Sequence, residues 1–298
     1  MIYLVDASVY VFRAYYSALP DRLDRDGQPT HAVFGFARFL SDLIERVRPA
    51  YMAVAFDHRL ASSFRNRIYP PYKANREPAP PGLAVQFERC FEFCTLAGVA
   101  PVASAEYEAD DVIGSIACKM RTVQERATLV TRDKDLAQLV REGDVLWDYP
   151  SRAPLSYWDV KRRCGVAPER FADYLALAGD AVDNIPGIPG VGPKTAAALM
   201  HEFASLEDLY DGLERVSTLK LRGAASLGAR LLEHREAAYL ARRLTGIVCD
   251  MPLRFEPNAL RRRRPDLDGL MRFFDRQAFG PLLRQQAVRL AGLPLAPF

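Results

Sequence analysis

Carboxylates in five short clusters are the residues of this sequence whose type and spacing most clearly indicate chemistry. Each cluster follows a predicted strand or opens a predicted helix, and the members are Asp6, Asp57, Glu108, Asp110, Asp111, Asp133, Asp135, Asp180 and Asp183. So many like charges in one place repel one another, and the repulsion disfavours their ionised forms. A hard divalent cation such as Mg²⁺ cancels the repulsion and binds carboxylate and water oxygens. Carboxylate pockets that hold two metal ions are a common means of hydrolysing phosphodiester bonds.

Short apolar runs alternate with helical patterns through the first half of the chain, and they position these carboxylates. The predicted strands are Ile2–Val5, Tyr51–Phe56, Ala127–Thr131 and Val145–Tyr149. The predicted helices are Arg38–Val47, Leu83–Leu96 and Asp111–Arg121. This alternation is typical of an α/β fold with a mostly parallel sheet flanked by helices. Ligands of such sheets bind beyond the carboxyl ends of the strands, where Asp6, Asp57 and Asp133 belong.

Two changes in amino-acid composition along the chain indicate further regions. Residues Phe64–Pro81 are basic, aromatic and proline-rich, which predicts a mobile arch over the sheet edge, at about residues 60–85. After Ser156 the chain is predicted to be helical, with a glycine-rich helix–hairpin–helix at about residues 177–200 and a last helical stretch at Leu267–Leu290. We therefore predict an α/β core over residues 1–155 and a helical region over residues 156–298. The basic run Arg261–Arg264 is at least as consistent with a solvated face as with a ligand contact.

Composition sets broad limits on the class of protein. The chain has 298 residues, 49% of them hydrophobic, and this composition predicts a folded protein. Its net charge is only +3, which by itself does not indicate a nucleic-acid ligand. Five cysteines without a C-x-x-C pair indicate a reducing compartment. The sequence shows no signal peptide and no apolar run long enough to span a bilayer, and we expect a cytoplasmic protein. The four histidines have no zinc-site spacing.

Several motifs follow one another in a fixed order along the whole chain. They are L-V-D-A-S at Leu4–Ser8, R-A-Y-Y at Arg13–Tyr16, F-R-N-R-I-Y-P-P-Y-K-A-N-R at Phe64–Arg76, E-A-D-D-V-I-G at Glu108–Gly114, D-K-D-L-A-Q-L-V at Asp133–Val140, the glycine-rich Leu177–Ala196, and F-F-D-R-Q-A-F-G-P-L-L near the end. Together they resemble the 5′-nuclease (flap endonuclease) family, with its PIN-like core, and most closely the 5′→3′ exonuclease domain of bacterial DNA polymerase I. No polymerase portion follows, so we expect a stand-alone relative.

The resemblance implies a metal site and a set of roles for these acids. Asp6, Asp57, Glu108, Asp110 and Asp111 would hold one Mg²⁺, with Asp110 or Asp111 shared, and Asp133, Asp135, Asp180 and Asp183 would hold a second, partly through water. Mn²⁺ is an expected substitute for Mg²⁺. Two such ions ~4 Å apart would activate a water and stabilise the leaving oxygen. The family match also assigns catalytic roles to Lys73, Arg76 and Asp135, with the two cations gripping the scissile phosphate or a threaded 5′ strand.

Several other residues are predicted to contact DNA. Cations and rings alternate in the arch, where cations hold phosphates and rings stack on unpaired bases. In the hairpin, glycines let the backbone approach a phosphate, and the next helix offers its N-terminal amides. The full predicted set is Arg13, Arg65, Tyr72, Lys73, Arg76, Gly187, Gly190, Gly192, Lys194 and Thr195. By resemblance, hairpin carbonyls would also bind K⁺.

The predicted function is a Mg²⁺-dependent, structure-specific 5′→3′ exonuclease and flap endonuclease of replication or repair. Its expected partner is DNA with a 5′ end, flap or nick, with a polymerase or sliding clamp as a further candidate partner and a monomer as the expected state. Two alternatives stay open: a DNA-binding relative that has lost catalysis, and an RNase. One departure bears on the first, because the family usually has Gly where Arg132 stands. That cation would contact a phosphate, pair with a carboxylate or disturb the turn.

Overall fold

The centre of the protein is a six-stranded sheet. A computed structural model describes residues 1–17, 22–57, 63–221, 223–252 and 255–295. The strands are β1 (Ile2–Asp6), β2 (Tyr51–Asp57), β3 (Ala100–Ser104), β4 (Ala127–Val130), β5 (Val145–Trp147) and β6 (Leu155–Ser156). Their order is β3-β2-β1-β4-β5-β6, and every pairing is parallel except that of β5 with β6. The predicted mostly parallel α/β fold is confirmed.

The sequence of β1 explains why it lies at the centre of this sheet. Ile2 and Leu4 pack into the core on one face, and Val5 packs into the core on the other. A strand that is buried on both faces must be apolar throughout, and this one is until it reaches Asp6. Asp6 lies opposite Ala55 of β2, and its preceding residue Val5 lies opposite Val130 of β4. The carboxyl ends of β1, β2 and β4 therefore meet at one edge.

Helices cover both faces of the sheet. One face carries α1 (Ala7–Tyr15), α2 (His31–Val47), α4 (Leu83–Leu96), α13 (Leu267–Arg276) and α14 (Pro281–Gly292), and the other carries α5 (Ala109–Thr122). The helix α3 (Phe64–Ile68) lies in the predicted arch. A 3₁₀ turn, Asp135–Leu139, follows β4. No helix in the described parts of the chain is both long enough and apolar enough to cross a bilayer.

A second, helical region has its own core. It contains α6 (Tyr157–Cys164), α7 (Phe171–Ala178), α8 (Pro193–Glu202), α9 (Leu206–Asp211), α10 (Leu213–Val216), α11 (Ala224–Glu233) and α12 (Arg235–Thr245), with 3₁₀ turns at Pro168–Arg170 and, later, Pro257–Leu260. Leu199, Phe203 and Leu209 are among its fully buried residues. The hairpin between α7 and α8 is closed by reciprocal backbone hydrogen bonds between Asp180 and Ile185, of 2.8 and 2.9 Å. This region holds two of the predicted metal-binding acids at its edge with the sheet.

The structure differs from the sequence-based prediction in three places. Strand β3 was not predicted, because A-P-V-A-S is short, holds a proline and lies at the sheet edge, where pairing on one side suffices. The arch is partly helical, although its residues 60–62 lie outside the described parts. Helix α13 packs against α4 and α14 packs against α2, and their residues Phe273 and Leu283 belong to the core on this face of the sheet, whereas the predicted division grouped residues 267–292 with the helical region.

Candidate active site

Asp6 and Asp57 lie side by side at the ends of β1 and β2, and the protein holds both in place with local donors. The Asp6 carboxylate accepts from the Thr131 hydroxyl at 2.9 Å and begins α1 by accepting from the Val9 amide at 3.4 Å. The Asp57 carboxylate accepts from the Ser8 hydroxyl at 2.6 Å and from the Ala109 amide at 2.9 Å. Ser8 and Thr131, which hold these two carboxylates in place, were not predicted from the sequence. Their placement next to the strand-end acids was the signal that could have identified them.

Glu108 and Asp110 open α5 and face the same edge of the sheet. The Glu108 carboxylate accepts from the Lys73 ammonium at 2.8 Å, and from the Arg65 guanidinium and the Tyr72 hydroxyl at 3.0 Å each. Burial raises the pKa of Asp110 well above its usual value, and the neighbouring Asp133 and Asp6 raise it further. Asp110 is therefore a carboxylate whose ionised form needs a cation.

Asp111 is not part of this edge, which corrects its predicted role as a metal ligand. Its side chain is 0% exposed, and both oxygens accept from Arg65, at 2.7 and 2.8 Å. The same oxygens also accept from the amides of Glu108 at 3.1 Å and Val248 at 2.9 Å. With its acceptor sites filled, Asp111 holds the start of α5 and has no oxygen to offer a metal ion.

Arg65, the partner of Asp111, was predicted to bind DNA, and the structure corrects that prediction as well. The residue is only 2% exposed. Its five N–H groups donate to Asp111 twice, to Glu108, and to the carbonyls of Leu244 at 2.9 Å and Gly246 at 2.8 Å. A guanidinium with five donors has none left for a phosphate. The Arg65 side chain therefore links the arch to α5 and to the end of α12.

Asp133 and Asp135 lie in the turn after β4. The Asp133 carboxylate accepts from the Asp135 amide at 2.8 Å, and the Asp133 amide donates to the Thr131 hydroxyl at 2.9 Å. The Asp135 Oδ1 atom is buried and has no hydrogen-bond partner among the described residues. Burial, and then the charge of Asp133, raise the pKa of Asp135 to about 7. A buried carboxylate oxygen without a hydrogen-bond donor lowers the stability of the folded state unless a cation or a proton binds to it.

Asp180 and Asp183 approach from the hairpin of the helical region, and the arch is fastened to them. The Lys73 amide donates to the Asp183 carbonyl at 3.0 Å, and the Asn75 side chain donates to the Ala181 carbonyl at 3.0 Å. The Arg76 guanidinium donates to the Asp183 carboxylate. Lys134 donates to the Asp180 carboxylate at 2.8 Å. The arch thereby brings its cations to the acids of the second region.

Eight of the nine predicted acids are joined in one electrostatic network, and Asp111 is the exception. Burial, and then Asp57 and Asp133, raise the pKa of Asp6 to about 7. Asp110 interacts with Asp133, Asp6 and Glu108, and Asp135 interacts with Asp133, Asp180 and Asp183. A divalent cation would relieve this repulsion, because it binds carboxylate oxygens.

Within the described ranges, no three His, Cys, Asp or Glu side chains surround a point where a metal ion would fit. Three of the acids are paired with cations: Lys73 pairs with Glu108, Arg76 with Asp183, and Lys134 with Asp180. The remaining donor set still fits a hard cation, because it consists of carboxylates and includes the unpartnered Asp135 Oδ1.

A cleft of about 550 Å³ opens between the arch and the sheet edge, and its lining includes Asp57, Lys73, Arg76 and Glu108. Tyr72 also touches the cleft but is 3% exposed, and its hydroxyl faces Glu108 and Asp183. Its ring cannot stack on a base, which corrects its predicted role. Burial first, and then the Glu108 charge, raise the pKa of Tyr72 far above its usual value, so it stays a hydrogen-bond donor.

The predicted DNA-binding glycines of the hairpin have different roles. A Cβ atom at Gly187 would lie 2.4 Å from the Ala178 carbonyl carbon, so this glycine allows the hairpin to pack on the end of α7 and does not face a ligand. Gly190 has a φ of +76°, and its open side is filled by Arg230. Gly192 has no atom within 4 Å of such a Cβ and caps the exposed start of α8.

Lys194 is exposed beside Gly192, and Thr195 is half-buried one residue further on. Together they leave the N-terminus of α8 accessible to a phosphate. Arg13 is more constrained, because it donates to the Tyr149 carbonyl at 2.9 Å and to the Asp148 carboxylate. Two of its donors are thus used within the protein, which makes it a weak candidate for the predicted phosphate contact.

Family models match both regions of the chain. Residues 1–165 match the 5′–3′ exonuclease N-terminal resolvase-like domain, and residues 166–268 match the 5′–3′ exonuclease C-terminal SAM fold. The chain belongs to the 5′→3′ exonuclease family. This membership makes it a 5′→3′ exonuclease by class, and it confirms the family resemblance drawn from the motifs.

Individual relatives agree with this assignment. The 5′–3′ exonuclease of Aquifex aeolicus is 34% identical over 284 residues, which are 95% of this chain and 94% of that protein. DNA polymerase I of Pseudomonas aeruginosa is 39% identical over 91% of this chain, but the match spans only 30% of the polymerase. The fold is similar to that of a bacteriophage T5 flap endonuclease solved with DNA and metal ions, with a TM-score of 0.65, 18% identity, and 98% and 99% of the two chains covered.

Proposed function

We propose that this protein is a Mg²⁺-dependent, structure-specific nuclease that hydrolyses DNA at 5′ ends and at 5′ flaps. The observation that supports this best is the network of eight carboxylates at one sheet edge, with the unpartnered Asp135 Oδ1 inside it. The metal-bound T5 relative supports a divalent cation as the missing partner of this network. Replication and repair, where 5′ flaps and nicks arise, are the proposed setting.

The proposed metal ligands fall into two groups along the edge. Asp6, Asp57, Glu108 and Asp110 form the group contributed by the sheet and α5, and Asp133, Asp135, Asp180 and Asp183 form the group contributed by the turn after β4 and the hairpin. Divalent cations held there would supply Lewis-acid stabilisation of the charge that develops on phosphate oxygens during hydrolysis. Mn²⁺ has the same preference for carboxylate oxygens and is a proposed substitute.

Lys73 and Arg76 are the proposed phosphate ligands of the arch. Burial alone would lower the pKa of Lys73, but the charges of Glu108 and Asp183 outweigh it and keep the pKa above its usual value. Both residues therefore stay charged and line the arch cleft beside the carboxylates. Their ammonium and guanidinium groups, which pair with Glu108 and Asp183, would bind a phosphate of the 5′ strand through charge-assisted hydrogen bonds.

Duplex recognition is assigned to the helical region. The exposed start of α8 combines Gly192, Lys194 and free backbone amides, which suits a backbone phosphate. Such contacts fix position on the duplex without reading its sequence, in keeping with recognition of a junction by shape. Carbonyls of the same hairpin are the proposed K⁺ ligands, and a monomer would suffice for all of these contacts.

A flap-cleavage assay tests the proposal. The substrate is a 5′-flap DNA labelled in the flap strand, compared with an RNA flap of the same sequence, with Mg²⁺ and with chelator. We expect cleavage of the DNA flap in Mg²⁺ only, and its loss in Asp135→Asn with flap binding retained. Tight binding without cleavage would identify a non-catalytic DNA-binding protein, and a faster reaction on RNA would identify an RNase; either result rejects the proposal.

A further inference from the structure

A second cleft, of about 100 Å³, lies on the opposite side of the carboxylate network from the arch. Its apolar floor includes Leu146 of β5 and Val160 of α6. Its charged residues are four cations and two acids: Arg132, Lys134, Arg152, Arg163, Asp133 and Asp148. We call these residues the basic cleft. Asp133 belongs to the proposed metal site, so the basic cleft adjoins that site directly.

Three of the six charged residues of the basic cleft have ion-pair partners among the described residues, and Arg132, Arg163 and Asp133 do not. Asp148 is paired with both Arg13 and Arg152, and Lys134 is paired with Asp180. Arg132 and Arg163 are exposed, and neither makes a hydrogen bond or an ion pair with any residue of the described parts of the chain. The basic cleft therefore presents two unpaired guanidinium groups to solvent.

The local backbone settles what Arg132 does in the place of the family's usual glycine. The turn is intact, since Asp133 and Asp135 make the hydrogen bonds described above. Arg132 is not among the residues with positive φ, so the backbone at this position does not require glycine. Nor does its guanidinium pair with the adjacent carboxylates. Of the three predicted outcomes, only a contact with an outside ligand remains.

The position of the basic cleft indicates which part of the DNA it would meet. The arch cleft lies on the β2–β3 side of the acids, and the basic cleft lies on the β4–β5–β6 side. From β2 to β5 is three strand spacings, or about 14 Å. A nucleic-acid strand that leaves the arch and crosses the acids therefore reaches the basic cleft within a few phosphates. The forked guanidinium groups of the basic cleft match the oxygens of a backbone phosphate.

We propose that the basic cleft, through Arg132 and Arg163, binds a backbone phosphate of the DNA strand on the duplex side of the cleavage site. The proposal rests on the proposed function and adds to it two binding residues, Arg132 and Arg163, whose side chains are exposed in the basic cleft. Because the contact is to an internal phosphate, it contributes to substrate affinity and to register and not to the chemical step.

The test measures binding without cleavage. Fluorescein-labelled 5′-flap DNA is titrated with protein in chelator at several salt concentrations, for wild type, Arg132→Gly, Arg163→Ala and the double variant. Each lost phosphate contact lowers the slope of log affinity against log salt by roughly 0.9. Because both guanidinium groups are proposed to bind one phosphate, we expect the double variant to lose about 0.9 of the slope and each single variant to lose less, with KM raised and kcat unchanged in Mg²⁺. The matched control is Arg162→Ala, an exposed neighbour on α6 that pairs with Asp159 and does not line the basic cleft.

Two results would overturn the proposal. One is a double variant that keeps the wild-type salt slope and affinity on flap DNA. The other is an equal loss on single-stranded DNA of the flap sequence, because that would place the contact on the 5′ strand and not on the duplex side. Failure of the proposed function is separate, since it would appear as wild-type protein that does not cut flap DNA in Mg²⁺, whatever the binding slopes are.

Discussion

Replacing Arg65 by methionine tests whether this arch cation is structural or binds DNA. The substitution keeps an unbranched side chain but removes all five hydrogen bonds of the guanidinium. Asp111 would remain fully buried, with only the Glu108 and Val248 amides as donors. Removing one partner of a buried ion pair typically costs about 3–5 kcal/mol, because the other charge is left uncompensated. For a chain of this size, that corresponds to a fall in Tm of roughly 5–8 °C.

The assay is chemical and thermal unfolding of metal-free protein, combined with flap-DNA binding at a temperature where the variant is still folded. Arg65→Met/Asp111→Asn supplies the internal control, because the asparagine removes the buried charge and keeps an oxygen for one backbone amide. We expect the double variant to recover roughly 2 kcal/mol relative to Arg65→Met, in the range of coupling between contacting residues. A loss below about 1 kcal/mol together with strongly weakened DNA binding would refute the structural role and restore Arg65 as a DNA ligand.

Three further predictions follow from the site. In chelator, burial and the Asp133 charge raise the pKa of folded Asp135 from 3.8 to about 7, so the folded state binds an extra proton between these values and the wild type loses stability as pH rises through this window. The Tm advantage of Asp135→Asn over wild type should therefore grow from about pH 4 to about pH 7 and disappear in excess Mg²⁺. A Tm difference that stays constant over this range would contradict the reasoning. Lys73→Ala should slow flap cleavage at least tenfold, with a Tm within a few degrees of wild type. The control Lys220→Ala, at an exposed lysine, should cleave at the wild-type rate. Equal cleavage rates for the two variants would remove Lys73 from the mechanism. Gly187→Ala should disrupt the hairpin and its duplex binding, because the added methyl group would lie 2.4–2.5 Å from backbone atoms of Ala178 and Gly179. The control Gly192→Ala should fold normally, since no atom lies within 4 Å of its added methyl group. Equal stability of the two variants in thermal unfolding would contradict the packing role of Gly187.

The main features of the sheet edge could be predicted from local sequence alone. A buried parallel strand must be apolar along its length, so the first carboxylate after Ile2–Val5 or Tyr51–Phe56 marks the strand end. Parallel topology then brings such ends together without any knowledge of side-chain contacts. The strand β3 was missed because an edge strand needs neither a long apolar run nor an uninterrupted row of amide donors.

Roles that depend on which side chain is buried could not be predicted in the same way. The arch alternates cations with aromatic rings, and this pattern is the same whether Arg65 faces a phosphate or a buried Asp111. The outcome depends on the Leu244 and Gly246 carbonyls, which lie about 180 residues away along the chain. Gly187 and Gly192 likewise belong to one glycine-rich motif, yet only the three-dimensional packing separates a glycine that contacts α7 from one that is open to a ligand.

Metal soaking of crystals tests the central claim most directly. Crystals of wild-type protein soaked in Mn²⁺ would be measured for anomalous scattering, with Asp135→Asn crystals treated identically. We predict anomalous peaks bounded by Asp6, Asp110, Asp133 and Asp135, weakened in the variant, with Lys73 and Arg76 displaced from Glu108 and Asp183. An edge without any peak, its lysine and arginine ion pairs intact at saturating Mn²⁺, would contradict the account.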